Sequence, residues 1–152
     1  MEDVMFEPKK ILVPTDFSKY SDRAVQEAVD IASKYNANVV LLHVIDDNIR
    51  QCAADYCLSN EVVKQFEDES MKASKDKLQK SVKVAESKKV DISLEIKRGV
   101  PSEVILDEQL KKAIDLIVIA SHGKTGILRH LIGSVTDKVI RAAKCPVLVI
   151  RE

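Results

Sequence analysis

Short apolar runs alternate along the chain with longer segments whose apolar residues recur at helical spacing. Four runs are apolar at nearly every position, namely residues 10–13, 39–45, 115–119 and 145–150. The first three are typical of strands buried inside a parallel sheet, and the fourth, whose Pro146 suits a strand start, is interpreted as the final strand. A fifth run, residues 90–96, alternates apolar and polar side chains, which predicts a half-buried strand at a sheet edge.

Helical spacing predicts four helices between these strands, over residues 19–35, 60–88, 102–113 and 135–143. Ser18 and Ser59 stand where N-cap residues are expected, and Asn36 stands where the first helix should stop. Ser134 and Asp137 form an S-x-x-D variant of the capping box, which predicts Ser134 as the N-cap of the last helix. Residues 48–60 show no clear period and are interpreted as a loop.

The order of these elements is β-α-β-α-β-α-β-α-β, which predicts an α/β fold with an open parallel sheet and helices on both faces. In such sheets ligands bind beyond the carboxyl ends of the strands, where the strand order reverses. Two strand ends carry unusual loops, residues 14–16 and residues 120–123. If their strands are neighbours, both loops border one crevice.

Composition narrows the class of protein. The 152 residues fit a single domain over 1–152, and 24 basic residues balance 24 acidic ones, so no global charge favours nucleic acid. No apolar run approaches the ~20 residues that span a bilayer, and the acidic N-terminus does not look like a signal peptide. Three scattered cysteines argue against zinc and for a reducing compartment. We therefore expect no membrane association and a cytoplasmic location.

The stretch after the fourth strand is the strongest candidate for chemistry. His122-Gly123-Lys124-Thr125 looks like the end of a P-loop, but that motif needs a glycine at position 118, which is Val118. Gly123, Gly126 and Gly133 still leave room for a close backbone approach, and a helix N-terminus that follows such a loop can hold phosphate. A tight turn before an ordinary helix start explains the same spacing, so both interpretations stay open.

Individual residues also have two interpretations each. Asp16 could accept a hydrogen bond from a ligand, or it could cap a turn at the strand end. His122 could contact phosphate or shape its loop, whereas His43, inside a strand, fits a hydrogen-bonded core histidine better than a catalyst. Lys124 and Arg129 could reach a phosphate or remain solvated. We find no Ser-His-Asp or Cys-His pattern in the sequence that indicates covalent catalysis.

Five separated blocks, taken together and in this order, resemble the universal stress protein family over residues 9–151. The blocks are Pro14-Thr15-Asp16-Phe17-Ser18, Leu41-Leu42-His43-Val44, Gly99-Val100-Pro101, Ser121-His122-Gly123 with nine residues before Gly133-Ser134, and Pro146-Val147-Leu148-Val149-Ile150. The resemblance implies a Rossmann-like, five-stranded parallel sheet of order 3-2-1-4-5. The ATP-binding branch of the family carries G-x2-G-x9-G-[ST], and this chain matches it at Gly123, Gly133 and Ser134 but has Ala120 in place of the first glycine.

The resemblance also implies a set of nucleotide-binding residues. Asp16 and the backbone of Val44 are expected at the adenine, Pro14 and Thr15 at the nucleoside end, and Ile119 and Ala120 near the ribose. The residues expected around the phosphates are Ser121, His122, Gly123, Gly133, Ser134, Val135 and Thr136. Mg²⁺, if bound, is expected to be held by the phosphates themselves.

The implied function is an ATP-binding regulatory protein of the stress response, with slow turnover at most, because no general base or metal cage is evident. The family resemblance also implies a homodimer through the C-terminal strand, residues 146–151. Two alternatives remain: a dimeric interaction protein of the same fold that binds no nucleotide, which Ala120 could mark, and a slow ATP hydrolase or adenylyl-transferring relative.

Overall fold

A computed structural model describes residues 5–124 and 131–151, which build a five-stranded parallel sheet. The strands are β1 Lys10–Pro14, β2 Asn38–Ile45, β3 Ile92–Arg98, β4 Leu116–Ala120 and β5 Val147–Ile150. Their order across the sheet is β3-β2-β1-β4-β5, which confirms the predicted α/β fold and strand order. β1 pairs with β2 on one side and with β4 on the other, so the strand order reverses at β1.

Helices cover both faces of this sheet. They are α1 Lys19–Tyr35, α2 Asn48–Asp55, α3 Asn60–Ser81, α4 Lys83–Glu86, α5 Pro101–Lys111 and α6 Ser134–Ala142. Successive strand side chains point to opposite faces, so Ile11 and Val13 join α1, α3 and α4 in one apolar cluster. Leu12 joins α5 and α6 in a second cluster on the other face. Because Ile11, Leu12 and Val13 of β1 are fully buried and point to alternate faces, β1 holds the two layers together.

Helix α2 replaces the loop that the sequence predicts over residues 48–60. The described side chains of this helix, Gln51, Cys52, Ala54 and Asp55, are all exposed. A helix that buries no apolar face leaves no 3.6-residue period in the sequence, so the pattern could not reveal it. Ser59 then accepts a hydrogen bond from the N–H of Val62 as the N-cap of α3, as expected.

The long helix predicted to residue 88 is broken at Val82. α3 ends at Ser81 and the single turn α4 follows. Leu78 and Ala85 both lie in the apolar cluster under α1, with Val82 packed against its edge. The break therefore lets the chain keep contact with the core on its way to β3, which begins at Ile92 rather than at residue 90.

The predicted N-cap of α6 is off by one residue. Gly133, not Ser134, occupies the N-cap position with an extended backbone, and no side chain caps the helix. The N–H of Gly133 donates to the carbonyl of Ser121, which holds Gly133 outside the helix. The carboxylate of Asp137 accepts from Arg141 and is not turned back toward the helix start, so the capping box is wrong.

The fold places both unusual loops at the same edge of the sheet. Because β1 and β4 are parallel neighbours, the segments after Pro14 and after Ala120 lie side by side, as expected. β3 and β5 are the two edge strands. In the part of the chain that the structure describes, none of the helices combines the length and apolar character needed to cross a bilayer.

Candidate functional site

A cleft of about 390 Å³ opens beyond the carboxyl ends of β1, β2 and β4. Twelve of the thirteen residues predicted for the binding site line it. They are Pro14, Thr15, Asp16, Val44, Ile119, Ala120, His122, Gly123, Gly133, Ser134, Val135 and Thr136. Residues distant in sequence, from 14 to 136, therefore meet in one concave site, as ligand sites in open α/β sheets do.

Six lining residues were not predicted for the site: Ser21, Leu42, Asp46, Pro101, Ile105 and Lys124. Leu42 and Ile105 belong to the apolar cluster on the α5–α6 face, which extends into the cleft wall. Leu42 precedes the predicted Val44 by two residues, so the alternation of β2 could have placed it on the same face. Gly126 and Arg129, which the sequence also raises, lie outside the described residues.

Hydrogen bonds within the segment that follows β1 hold it in shape. The hydroxyl of Thr15 lies 3.0 Å from that of Ser21 and accepts from the N–H of Phe17. Ser18 caps α1 by accepting from the N–H of Ser21, as predicted. Phe17 has a left-handed backbone, with φ of 64°, so the chain makes a sharp turn there before entering the helix.

Asp16 joins this segment to the one after β4. Its Oδ1 accepts from the N–H of Ser18 at 3.0 Å, and its Oδ2 accepts from the N–H of Lys124 at 2.9 Å. Burial raises the pKa of Asp16, but the hydrogen bonds from Ser18, Lys124 and Ser21 together outweigh it and lower the pKa below its ordinary value. The carboxylate is therefore ionised at neutral pH and engaged on both oxygens.

His43 supports the same segment from the neighbouring strand. Its Nδ1 donates to the carbonyl of Thr15 at 2.8 Å, and its ring lies 4.3 Å from that of Phe17. Burial lowers the pKa of His43, aided by the charges of Lys124 and Lys77 and opposed by the Thr15 bond and by Asp16. A half-buried, hydrogen-bonded histidine agrees with the structural role that the sequence favours.

The start of α6 is fixed to the end of β4 by two bonds. The buried hydroxyl of Thr136 donates to the carbonyl of Ala120 at 2.8 Å, and the N–H of Gly133 donates to the carbonyl of Ser121 at 2.7 Å. Ser121 itself is buried and is not among the residues that line the cleft, and its N–H donates to the carbonyl of Ile150 in β5. Ser121 is thus the one predicted site residue that the fold sets behind the cleft wall.

The first turn of α6 offers unpaired donors to the cleft. The N–H groups of Ser134, Val135 and Thr136 have no hydrogen-bond acceptor within residues 5–124 and 131–151, as the geometry of a helix start requires. These residues line the cleft, where the helix dipole adds partial positive charge. The site can therefore hold an anionic group through backbone donors alone.

His122 stands between the two segments. Its Nδ1 lies 2.9 Å from the hydroxyl of Ser121, and its ring lies 5.0 Å from that of Tyr20. Both contacts fix the plane of the imidazole at the cleft wall. Tyr20 gives no signal of this contact in the sequence, because it is 102 positions away and looks like any half-buried residue of an amphipathic helix.

The described charged side chains at the cleft do not form a metal centre. Asp16 and Asp46 line it together with His122 and Lys124, so acidic and basic side chains are mixed there. Among residues 5–124 and 131–151, no three His, Cys, Asp or Glu residues come together as a metal site would need. Among the described groups, the N–H groups of α6 and the side chain of Lys124 are available to a polyanion.

The chain is similar to known proteins over nearly its whole length. Residues 7–151 match the universal stress protein family. Universal stress protein MJ0531 of Methanocaldococcus jannaschii is 37% identical over 147 residues, which cover 95% of this chain and 82% of the relative. The solved structure of MJ0577, from the same organism, is 31% identical and superposes with a TM-score of 0.84 over 97% of this chain and 98% of its own.

Two more distant structures share the fold and contain a nucleotide. A universal stress protein in complex with cAMP has a TM-score of 0.68 and 23% identity, and covers 96% of this chain and 98% of its own. A universal stress protein of Archaeoglobus fulgidus in complex with dAMP has a TM-score of 0.69 and 20% identity, and covers 96% of this chain and 100% of its own.

Proposed function

This chain belongs to the universal stress protein family, and on that premise we propose that it binds an adenine nucleotide in the cleft between β1 and β4. The observation that carries the proposal is the first turn of α6, whose N–H groups at Ser134, Val135 and Thr136 border the cleft without an acceptor in the described chain. Phosphate is the anion best suited to such a helix start. The complexes of relatives with cAMP and dAMP support adenine as the base.

The proposed ligand is ATP, with its phosphates at the start of α6 and its nucleoside toward Pro14, Thr15 and Val44. The apolar side chains of Leu42, Val44 and Ile105 give the nucleoside end a partly apolar wall. Mg²⁺ fits the same account as a cation carried by the phosphates themselves. Ile119 and Ala120 also line the cleft, and the ribose is proposed to lie against them.

The proposed activity is nucleotide-dependent regulation in the stress response, in the cytoplasm and as a single domain, and not fast catalysis. Binding without turnover is consistent with the polar groups at the cleft, because Thr15, Asp16 and Thr136 already hold backbone groups in place. The free thiols of Cys52, Cys57 and Cys145 fit a reducing compartment.

Direct detection of ligand tests the proposal. Protein purified from cells is denatured, and the released small molecules are identified by mass spectrometry. Stripped protein is then titrated with ATP, ADP, AMP and cAMP by calorimetry. We expect adenine nucleotide either in the released fraction or bound in the titration, and the absence of affinity for all four at millimolar concentration contradicts the proposal.

We also propose that the protein forms a homodimer through residues 146–151. β5 is an edge strand, and Leu148 on it is 39% exposed. An apolar edge that is not covered invites pairing with another strand. The edge strand β3 supplies a matched control, because its Leu94 is 40% exposed.

Light scattering distinguishes the two edges. We expect the wild-type protein and Leu94→Lys to be dimers at micromolar concentration, and Leu148→Lys to be a monomer. A monomeric wild type, or a Leu148→Lys variant that stays dimeric, excludes β5 as the interface.

A further inference from the structure

We propose that Asp16 is a positioning residue that anchors the start of the β4–α6 connection beside the cleft, and that position 123 is glycine to make room for this carboxylate. The inference rests on the proposed function only for its affinity measurement, since the anchor itself can be observed without a ligand. It differs from the role implied by family resemblance, in which Asp16 meets the adenine.

The first observation is where the carboxylate is bound. Asp16 follows β1 and Lys124 follows β4, 108 positions later, yet the N–H of Lys124 donates to Asp16 Oδ2 at 2.9 Å. The other oxygen, Oδ1, accepts from the N–H of Ser18, which begins α1. One ionised side chain therefore shapes its own segment at the start of α1 and links it to the segment after β4, and bonds to a charged acceptor are stronger than neutral ones.

The second observation is the space at Gly123. A Cβ placed there would overlap with Asp16 Oδ2. Among the described glycines only Gly99 has a positive φ, so the backbone of Gly123 is not in the left-handed region. Backbone conformation therefore does not require glycine at position 123, whereas the approach of the Asp16 carboxylate does.

The third observation is the place of these residues in the cleft. Asp16, Gly123 and Lys124 all line it, together with Gly133 and the first turn of α6. Fixing the N–H of Lys124 on Asp16 fixes part of the same cleft lining to which the α6 donors belong. Loss of the anchor should therefore weaken any ligand that contacts both parts, whatever its base.

A comparison of ATP with ITP separates the two roles of Asp16. ITP carries a carbonyl where ATP has the 6-amino group, so it cannot donate to a carboxylate there. If Asp16 positions the loop, Asp16→Ala weakens both nucleotides by about tenfold, as expected for a lost charged hydrogen bond, and leaves their affinity ratio unchanged. Weakening of ATP alone, or of neither nucleotide, overturns the proposal.

Asp47 supplies the control for charge. It is exposed, follows β2 and is not among the residues that line the cleft, and Asp47→Asn removes the same negative charge without touching the anchor. We expect Asp16→Asn to weaken ATP and Asp47→Asn to leave its affinity unchanged, because only the first variant removes the anchor. Equal weakening by both variants overturns the positioning role.

A double-mutant cycle tests the reason for Gly123. Gly123→Ala should weaken ATP in the wild-type background but cost little further affinity in Asp16→Ala, where the colliding carboxylate is absent. Effects that simply add overturn the steric account of Gly123. Circular dichroism of each variant confirms that it is folded before its affinity is compared.

Amide exchange gives a test without nucleotide. In ¹⁵N-labelled, ligand-free protein we expect the Lys124 amide to exchange about tenfold faster in Asp16→Asn than in wild type, with the Asp47→Asn control unchanged. An unchanged Lys124 amide overturns the anchor. If the anchor is observed but the wild type binds neither ATP nor ITP, the proposed function fails while the anchor stands.

Discussion

Gly123 and Gly133 lie ten residues apart in the sequence, between β4 and the start of α6, and both line the cleft, but their surroundings differ. A Cβ at Gly123 would collide with the carboxylate of Asp16. Among the described residues, a Cβ at Gly133 would meet the backbone of Ser121 and His122 no closer than 3.4 Å, which is ordinary contact. Packing among the described residues thus explains glycine at 123 but does not require it at 133.

The difference indicates that one site needs its two glycines for different reasons, one for packing inside the protein and the other for access of a ligand. Gly123 serves the internal anchor between the segments after β1 and β4. Gly133 immediately precedes the α6 N–H groups that have no acceptor among the described residues, so a side chain at 133 makes no close contact within the described chain but stands next to the donors for an anion. Substitution at 123 should therefore lower stability as well as ligand affinity, and substitution at 133 should lower ligand affinity with little change in stability.

The largest effect is expected from Gly133→Val on affinity for ATP. Its branched side chain lies beside the N–H groups of Ser134 and Val135 and should keep a phosphate from two of them, which predicts a loss of roughly 100-fold. Calorimetry measures this loss. Ala142→Val adds the same branching at the exposed end of the same helix and should bind ATP normally. Equal affinities of the two variants would break the comparison.

The next largest effect is expected on the free energy of unfolding when each glycine is replaced by alanine. Gly123→Ala forces a methyl group against Asp16 and should lower the free energy of unfolding by about 2 kcal/mol, within the range for overpacking. Gly133→Ala should stay within about 0.5 kcal/mol of wild type. Urea denaturation followed by circular dichroism compares them. Similar losses in both variants would show that the glycines do not differ in the way described.

A smaller effect is expected at Ala120, where the family motif has glycine. The residue is buried at the end of β4 and lines the cleft, while its carbonyl accepts from Thr136. Ala120→Gly widens the cleft without removing that bond, so ATP affinity should rise by no more than a few-fold. Calorimetry on the single variant decides the point, and a loss of affinity would mean that the methyl group helps to hold the ligand.

The smallest expected effect is a pH dependence of stability that arises from His43, which supports the segment containing Asp16. The pKa of His43 lies below its ordinary value of 6.5, so the unfolded chain binds the proton more readily than the folded one. The contribution of the neutral His43 side chain to stability is fully present above pH 6.5. It is lost as the pH falls through the pKa that His43 has in the folded state. Denaturation from pH 7 to pH 5 should show a decline that is shallower in His43→Gln. Identical slopes would exclude His43 as its source.

Sequence patterns predicted the parts of the fold that bury apolar faces. Continuous apolar runs located β1, β2, β4 and β5, and the alternation of residues 90–96 located β3 at an edge, because each buried face leaves a period in the sequence. The described side chains of helix α2 are exposed, so no helical spacing of apolar residues predicted this helix. The strand order itself came from the family resemblance and not from periodicity.

The candidate site likewise has a part that sequence signals located and a part that they could not locate. Twelve predicted residues line the cleft because they lie at strand ends and at a helix start, positions that sequence signals can locate. The bond between Asp16 and Lys124 joins residues 108 positions apart, and no local pattern encodes it. Likewise, Ser134 resembles an N-cap in sequence, but the bond from Gly133 to Ser121 sets the helix start one residue earlier.

The most direct test of nucleotide binding at α6 is a titration of ¹⁵N-labelled, nucleotide-stripped protein with ATP, followed through the amide signals of Ser134, Val135 and Thr136. These N–H groups have no acceptor in the described chain, so they should shift strongly and in step with one another as phosphate binds. Signals that stay unmoved at millimolar ATP would contradict the account.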